Sequence, residues 1–211
     1  MEKHERKRPN KVVMLLTLSD MLSWGPFLII SALSGIYLSE KLGIDTVKFV
    51  GVGTSIYFLT RAILQIPMGY LTDKIESDKD EILLLATGTI LMGLPYTFYP
   101  HITEPWHYYL LQFVFGFGVA LSVTNWRKLF AMNVDSGIEG LQYGFYETII
   151  SLFTAGLSIL IGSLASLNKV YFDFVIVSAG IVMMLGSLAV LTIFTIKKRK
   201  TNISNKKKGK K

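Results

Sequence analysis

Six apolar blocks follow one another along this chain, each long enough to cross a hydrocarbon layer. They run roughly Val12–Leu38, Val47–Thr72, Ile82–Tyr99, Trp106–Trp126, Leu141–Leu167 and Val170–Ile196. A helix needs about 20 mainly apolar residues to span a bilayer core. Blocks of this length are poor candidates for the core helices of a soluble domain. Charged residues make up 18% of the chain, where soluble domains carry nearer ~25%. Open strands would leave backbone groups unpaired in lipid, so the blocks are read as helices. The first run is far longer than the apolar segment of a signal peptide and contains no small-residue cleavage pattern. It is therefore expected to be the first transmembrane helix.

Orientation follows from lysine and arginine placement. An even number of crossings puts both tails and the second and fourth loops on one face. That face carries Lys3, Arg6, Lys7, Arg8, Lys11, Lys74, Lys79, Arg127 and Lys128, together with nine basic residues from Lys197 onward. The other face has Lys41, Lys48 and Lys169, and Arg61 lies within a helix. Both termini are therefore expected in the cytoplasm of a cell with a plasma or inner membrane. The expected organisation is a basic tail over 1–11, a membrane domain over 12–196 and a Lys-rich tail over 197–211. The last part of that tail, from Thr201, is expected to be disordered.

The connections are short, so function must reside in the helices or the loops on the basic face. Cysteine is absent and the three histidines, His4, His101 and His107, fall in a tail or near a membrane face. Disulfides, thiolate chemistry and a metal cluster at membrane depth are thereby excluded, and no cofactor is expected. An enzyme is not expected either. The basic tail lacks aromatic interleaving, which argues against nucleic acid and leaves the lipid bilayer as its surroundings. Tyr96, Phe98, Tyr99, Trp106, Tyr108 and Tyr109 cluster at one membrane edge, and Trp126, Tyr143, Phe145 and Tyr146 near the other. Aromatic rings favour headgroup depth, so they are read as interfacial anchors.

Three ionisable residues stand inside the apolar blocks: Asp20, Arg61 and Glu147. Each costs about 2.5–3.5 kcal/mol or more at the bilayer centre, so each calls for a reason. Counted from the basic face they lie about 12, 15 and 9 Å deep at about 1.5 Å per residue. Two acids and one base at one level suggest an ion-paired network facing the bundle interior. Asp20 shares a face with Trp24, Phe27, Ser31 and Ser34. Arg61 aligns with Tyr57 and Gln65, and Glu147 with Tyr143, Ser151, Thr154 and Ser158. Such stripes line a polar cavity or bond to another helix. Small residues at four-residue spacing (Gly116 and Ala120, Gly118 and Ser122, Ser158, Gly162 and Ser166) would let helices approach closely.

At the end of the second block the chain reads Arg61-Ala-Ile-Leu-Gln65-Ile-Pro67-Met-Gly69-Tyr-Leu-Thr-Asp73-Lys74. This resembles the loop 2–3 signature of the major facilitator superfamily, Gly-x-x-x-Asp-(Arg/Lys)-x-Gly-(Arg/Lys). Gly69, Asp73 and Lys74 match, whereas Glu76 and Ser77 replace the later glycine and basic residue. Phe115-Gly116-Phe117-Gly118-Val-Ala120 resembles the family's glycine-rich fourth helix. The stretch from Asp135 to Glu147 resembles the start of its fifth. Gly156 to Ser163 resembles its small-residue segment ending Ile-Gly-Gly, with Ser163 for the second glycine.

The resemblance implies an all-α membrane protein with the architecture of one family half, built of three-plus-three inverted repeats over about 12–100 and 106–196. It implies a secondary transporter of a small molecule, working by alternating access. A homodimer, or pairing with a separately encoded half, would complete it. The expected substrate or proton pathway comprises Asp20, Trp24, Tyr57, Arg61, Gln65, Glu147 and Ser151. Gly69, Asp73, Lys74 and Arg127 are the expected conformational latch, with Asp73 seated at the start of the partner's fifth helix near Gly140. The other reading is a non-transporting accessory subunit that keeps the fold.

Overall fold

The computed structural model describes residues 10–43, 45–74 and 78–208. The basic residues Lys3 to Arg8 and the motif departures Glu76 and Ser77 lie outside the described residues. Six helices account for nearly all the rest: α1 (Lys11–Leu42), α2 (Thr46–Lys74), α3 (Asp78–Phe98), α4 (Pro105–Asn133), α5 (Glu139–Ala165) and α6 (Lys169–Lys208). A 3-10 turn at Tyr99–His101 follows α3. All six helices are long and apolar enough to cross a membrane.

Two boundaries differ from expectation. Arg127 and Lys128, assigned above to the fourth loop, lie within α4, which runs to Asn133. Lys128 finds partners on α2 and α3, and Arg127 turns into a cavity, so the chain has no need to leave the helix at Trp126. The α6 backbone is helical through Lys208, where disorder is expected from Thr201. Lysine is a good helix former, and extending an existing helix avoids the cost of a new nucleus.

α3 and α6 cross back to back at paired glycines. A Cβ built on Gly93 would lie 2.4 Å from the Gly180 carbonyl oxygen, and one on Gly180 would lie 2.7 Å from that of Gly93. Only hydrogen fits there. α4 packs beside α3 in the same way, with Gly118 set against the backbone at Leu91 and Met92 and Gly88 against that of Ser122. α1 packs on α6, α2 on α4, and α5 on α1. α2 and α5 are the least covered. Only 17% and 11% of the residues in their apolar stretches are buried, against 50–56% in the other four.

Polar clamps fasten both ends of the bundle. At the end that holds the start of α1, Lys128 Nζ lies 2.7 Å from Glu81 Oε1 and 3.8 Å from Asp73 Oδ1, and donates to the Thr72 carbonyl at 2.7 Å. This joins α2, α3 and α4. At the opposite end Tyr37 donates to Asp173. Lys41 lies 3.9 Å from the same carboxylate and donates to the Pro100 carbonyl at 2.9 Å, joining α1 and α6 to the turn after α3.

Candidate functional site

A cavity of about 170 Å³ opens between α1, α2, α4 and α5, lined by Asp20, Trp24, Arg61, Val123, Trp126, Arg127 and Tyr146. Asp20 is 8% exposed and accepts a hydrogen bond from the Tyr146 hydroxyl. Tyr146 is positioned by its ring contacts with Trp126 and Phe130, at centroid distances of 4.9 and 5.3 Å. The Trp126 indole N–H donates to the Leu16 carbonyl at 3.0 Å, which fixes α4 against α1 one turn below Asp20. Arg61 stands in the middle of α2. Its Nη1 donates to the Tyr57 hydroxyl at 3.2 Å.

Above this cavity sits an aromatic septum. Trp24 meets Phe27 edge to face at 5.2 Å, Phe27 stacks on Phe115 at 4.9 Å, and Tyr57 lies 5.2 Å from Phe115. Beyond the septum a second cavity of about 280 Å³ is lined by Ser31, Ser34, Thr54, Gln112 and the rings of Tyr57, Tyr96, Tyr99 and Tyr108, among others. Tyr57 belongs to both chambers, since its ring walls the second and its hydroxyl holds Arg61 of the first. The Asp20 face of α1 therefore lines a polar column of two chambers divided by the septum, with Trp24 in the first chamber and Phe27, Ser31 and Ser34 in the second.

This geometry departs from the sequence reading in three places. Asp20 and Arg61 line one cavity, but no ion pair joins Asp20, Arg61 and Glu147 among the described residues. Tyr146 takes the place of a cation beside Asp20, and Glu147, one residue on, is turned about 100° round the helix and exposed. Ser151 is exposed on that same outward face. Gln65 leaves the column and donates to Thr124 at 2.6 Å, tying α2 to α4. Tyr96, Tyr99 and Tyr108, read as interfacial anchors, are only 1–3% exposed and wall the second chamber, whereas Phe98 and Trp106 of the same cluster are exposed. Gln112 donates to the Tyr99 hydroxyl at 3.2 Å inside the bundle, a partner that offsets the cost of burying that ring.

Of the latch residues, Asp73 is exposed and faces Lys128. Lys74 Nζ lies 4.3 Å from the Tyr70 ring centre, and a Cβ on Gly69 would meet only Thr124, at 4.0 Å. Arg127 lines the first cavity. Val123, Trp126 and Tyr146 complete that wall; Trp126 and Tyr146 were expected as interfacial anchors but turn inward to the cavity, and Val123 carried no signal of its own in the sequence.

The model of the family described as Major Facilitator Superfamily matches residues 13–211. The chain belongs to that superfamily. No curated protein and no solved structure gives a significant match. Six apolar helices over this length fit a half-size member of the superfamily, and membership suggests a transporter rather than an enzyme.

Proposed function

We propose that this chain is one half of a secondary transporter, completed by a second copy, which moves a small solute by alternating access. The observation that carries the reading is a one-walled polar column. Asp20 and Arg61 stand at membrane depth in a cavity flanked by α2 and α5, the two helices left nearly uncovered. The outward face of α5 bears Glu147, Ser151 and Ser158, all exposed, and a carboxylate facing hydrocarbon is costly. A second copy related by a twofold axis along the membrane normal would set each α5 beside the other's α2 and close the column. The two clamps support reading the helix triplets as inverted repeats. In each, a lysine of the first helix of one triplet pairs with an acid near the start of the third helix of the other, Lys41 with Asp173 and Lys128 with Glu81. The basic-residue bias of the loops and tails supports a cytoplasmic location for both termini. Mass measurement in mild detergent tests the pairing. A dimer supports it, and a monomer bound to an unrelated protein favours the accessory role.

Asp20 is the proton-responsive group of this proposal. It is buried at membrane depth, and Tyr146 satisfies one oxygen without supplying charge. Its charged neighbours are Glu147 on α5 and Arg127 on α4, while Arg61 of α2 faces the same cavity. In proteoliposomes, Asp20→Asn is expected to flatten the pH dependence of solute uptake. Uptake with the native pH profile would remove Asp20 from the proton path.

The Asp73 latch gives a second test. The carboxylate lies 3.8 Å from Lys128 but is largely exposed, so it can cap the partner's α5, where a negative charge gains from the helix N-terminus. The chain has no cysteine, so a single Val123→Cys reporter on the cavity wall has no background. Adding Asp73→Asn should raise its labelling rate from the cytoplasmic side several-fold. An unchanged rate would mean that Asp73 does not hold that side closed.

A further inference from the structure

The first cavity holds two guanidinium groups and one carboxyl group, and the carboxyl already has a partner in Tyr146. Arg61 lies about 20 Å along its helix from Lys74 at about 1.5 Å per residue, so it stands near mid-bilayer. A guanidinium carries five N–H donors, and among the described residues Arg61 donates to the neutral Tyr57 hydroxyl. Among the described residues no carboxylate comes within ion-pairing distance of Arg61 or Arg127. A charge at this depth without a counter-ion is expensive, so the site is built to receive an anion.

We propose that this cavity binds a small organic monocarboxylate, its carboxylate bridging Arg61 and Arg127 and its apolar body lying between Trp24, Val123 and Trp126. The inference rests on the transport reading and names its substrate class. A planar guanidinium fork matches a carboxylate with two parallel hydrogen bonds. With Asp20 ionised, the two guanidinium charges of the cavity leave one positive charge to balance, which favours a monoanion over dianions such as phosphate esters. Two indoles and a valine side chain suit a hydrocarbon or aromatic body. The cavity volume of about 170 Å³ admits a molecule of benzoate size.

The site carries its own reporter. Of the three tryptophans, Trp24 and Trp126 line the cavity, while Trp106 is exposed at the other end of α4. Nitroaromatics quench indole fluorescence on contact, so 4-nitrobenzoate and its neutral analogue 4-nitrobenzamide form a matched pair of probes for the purified protein in detergent. Saturable quenching by the carboxylate is expected, with the amide at least tenfold weaker. Arg61→Gln should weaken carboxylate binding at least tenfold, Arg61→Lys should retain part of it, and Trp106→Phe should leave it unchanged. Equal quenching by both probes, no saturable quenching by the carboxylate, or undiminished binding in folded Arg61→Gln protein overturns the proposal. Carboxylate preference without flux in proteoliposomes supports the site and overturns the transport reading. Flux of a solute with no carboxylate preference at the cavity does the opposite.

Discussion

Replacing Lys128 with methionine should cost about 3 kcal/mol of stability, a loss of roughly 100-fold in the folded-to-unfolded ratio. Glu81 is buried, with its side chain 5% exposed, and Lys128 is its only ion-pair partner among the described residues. The second Glu81 oxygen already lacks a hydrogen bond. Removing the ammonium would leave a buried carboxylate with no compensation, and would also free the Thr72 carbonyl at the end of α2. The attraction between the two charges matters less here than the penalty of stranding one of them. Lys128→Met combined with Glu81→Leu should therefore recover most of the loss, because neither charge then remains to be buried. Asp73→Asn should change stability little, since Asp73 is 79% exposed and screened. Denaturant titration of the three variants in detergent checks the ordering. A double variant no more stable than Lys128→Met alone would show that the clamp works through shape instead of charge.

The second large effect is expected at the α3–α6 crossing. Gly93→Val should separate the helices or prevent folding, because even its Cβ would stand 2.4 Å from the Gly180 carbonyl oxygen and 2.9 Å from the Met184 nitrogen. Backbone on one helix cannot yield as a flexible side chain would. Overpacking of this kind costs about 1–3 kcal/mol in soluble cores. In lipid, close backbone contact is itself a principal source of helix association, so the upper end of that range applies. Gly156→Val on α5 should behave oppositely. A Cβ there meets nothing within 4 Å, so monomer stability should be unchanged. If a second copy covers α5, the same variant should shift the monomer–dimer balance toward monomer. Thermal unfolding and mass measurement on both variants separate fold from pairing.

The glycine contrast shows what the sequence could and could not convey. The number of helices, their limits to within a few residues in most cases, and the presence of Asp20 and Arg61 at similar depth were all legible, because length and charge are one-dimensional properties. The direction a stripe faces was not. On α5 the polar series Tyr143, Glu147, Ser151, Thr154 and Ser158 was expected to point inward, yet all but the half-buried Thr154 are exposed. The inward series is Tyr146, Ile150, Phe153, Leu157 and Ile161, all buried or half-buried. In water an apolar stripe points to the core. In lipid a core face and a lipid face are equally apolar, so periodicity gives the stripe without its direction. Small-residue spacing had the same ambiguity: Gly116 and Gly118 press against neighbouring backbone, while Ser158, Gly162 and Ser166 face open space or the surface. The tyrosines failed for a related reason. A ring near a membrane edge reads as an anchor unless its hydroxyl is known to find a partner inside, as Tyr99 does with Gln112.

The clamps at the two ends also bear on how such a unit deforms. Lys128 binds α2, α3 and α4 at one end, and Lys41 with Tyr37 binds α1, α6 and the turn after α3 at the other. Between them, glycine contacts leave α3 no slack against α4 or α6. These contacts join α3, α4 and α6 closely, whereas α2 and α5 leave most of their apolar residues uncovered. On the transport proposal, large displacements would belong to the seam beside α2 and α5. The six helices would then turn as a lever, with that seam as the fulcrum.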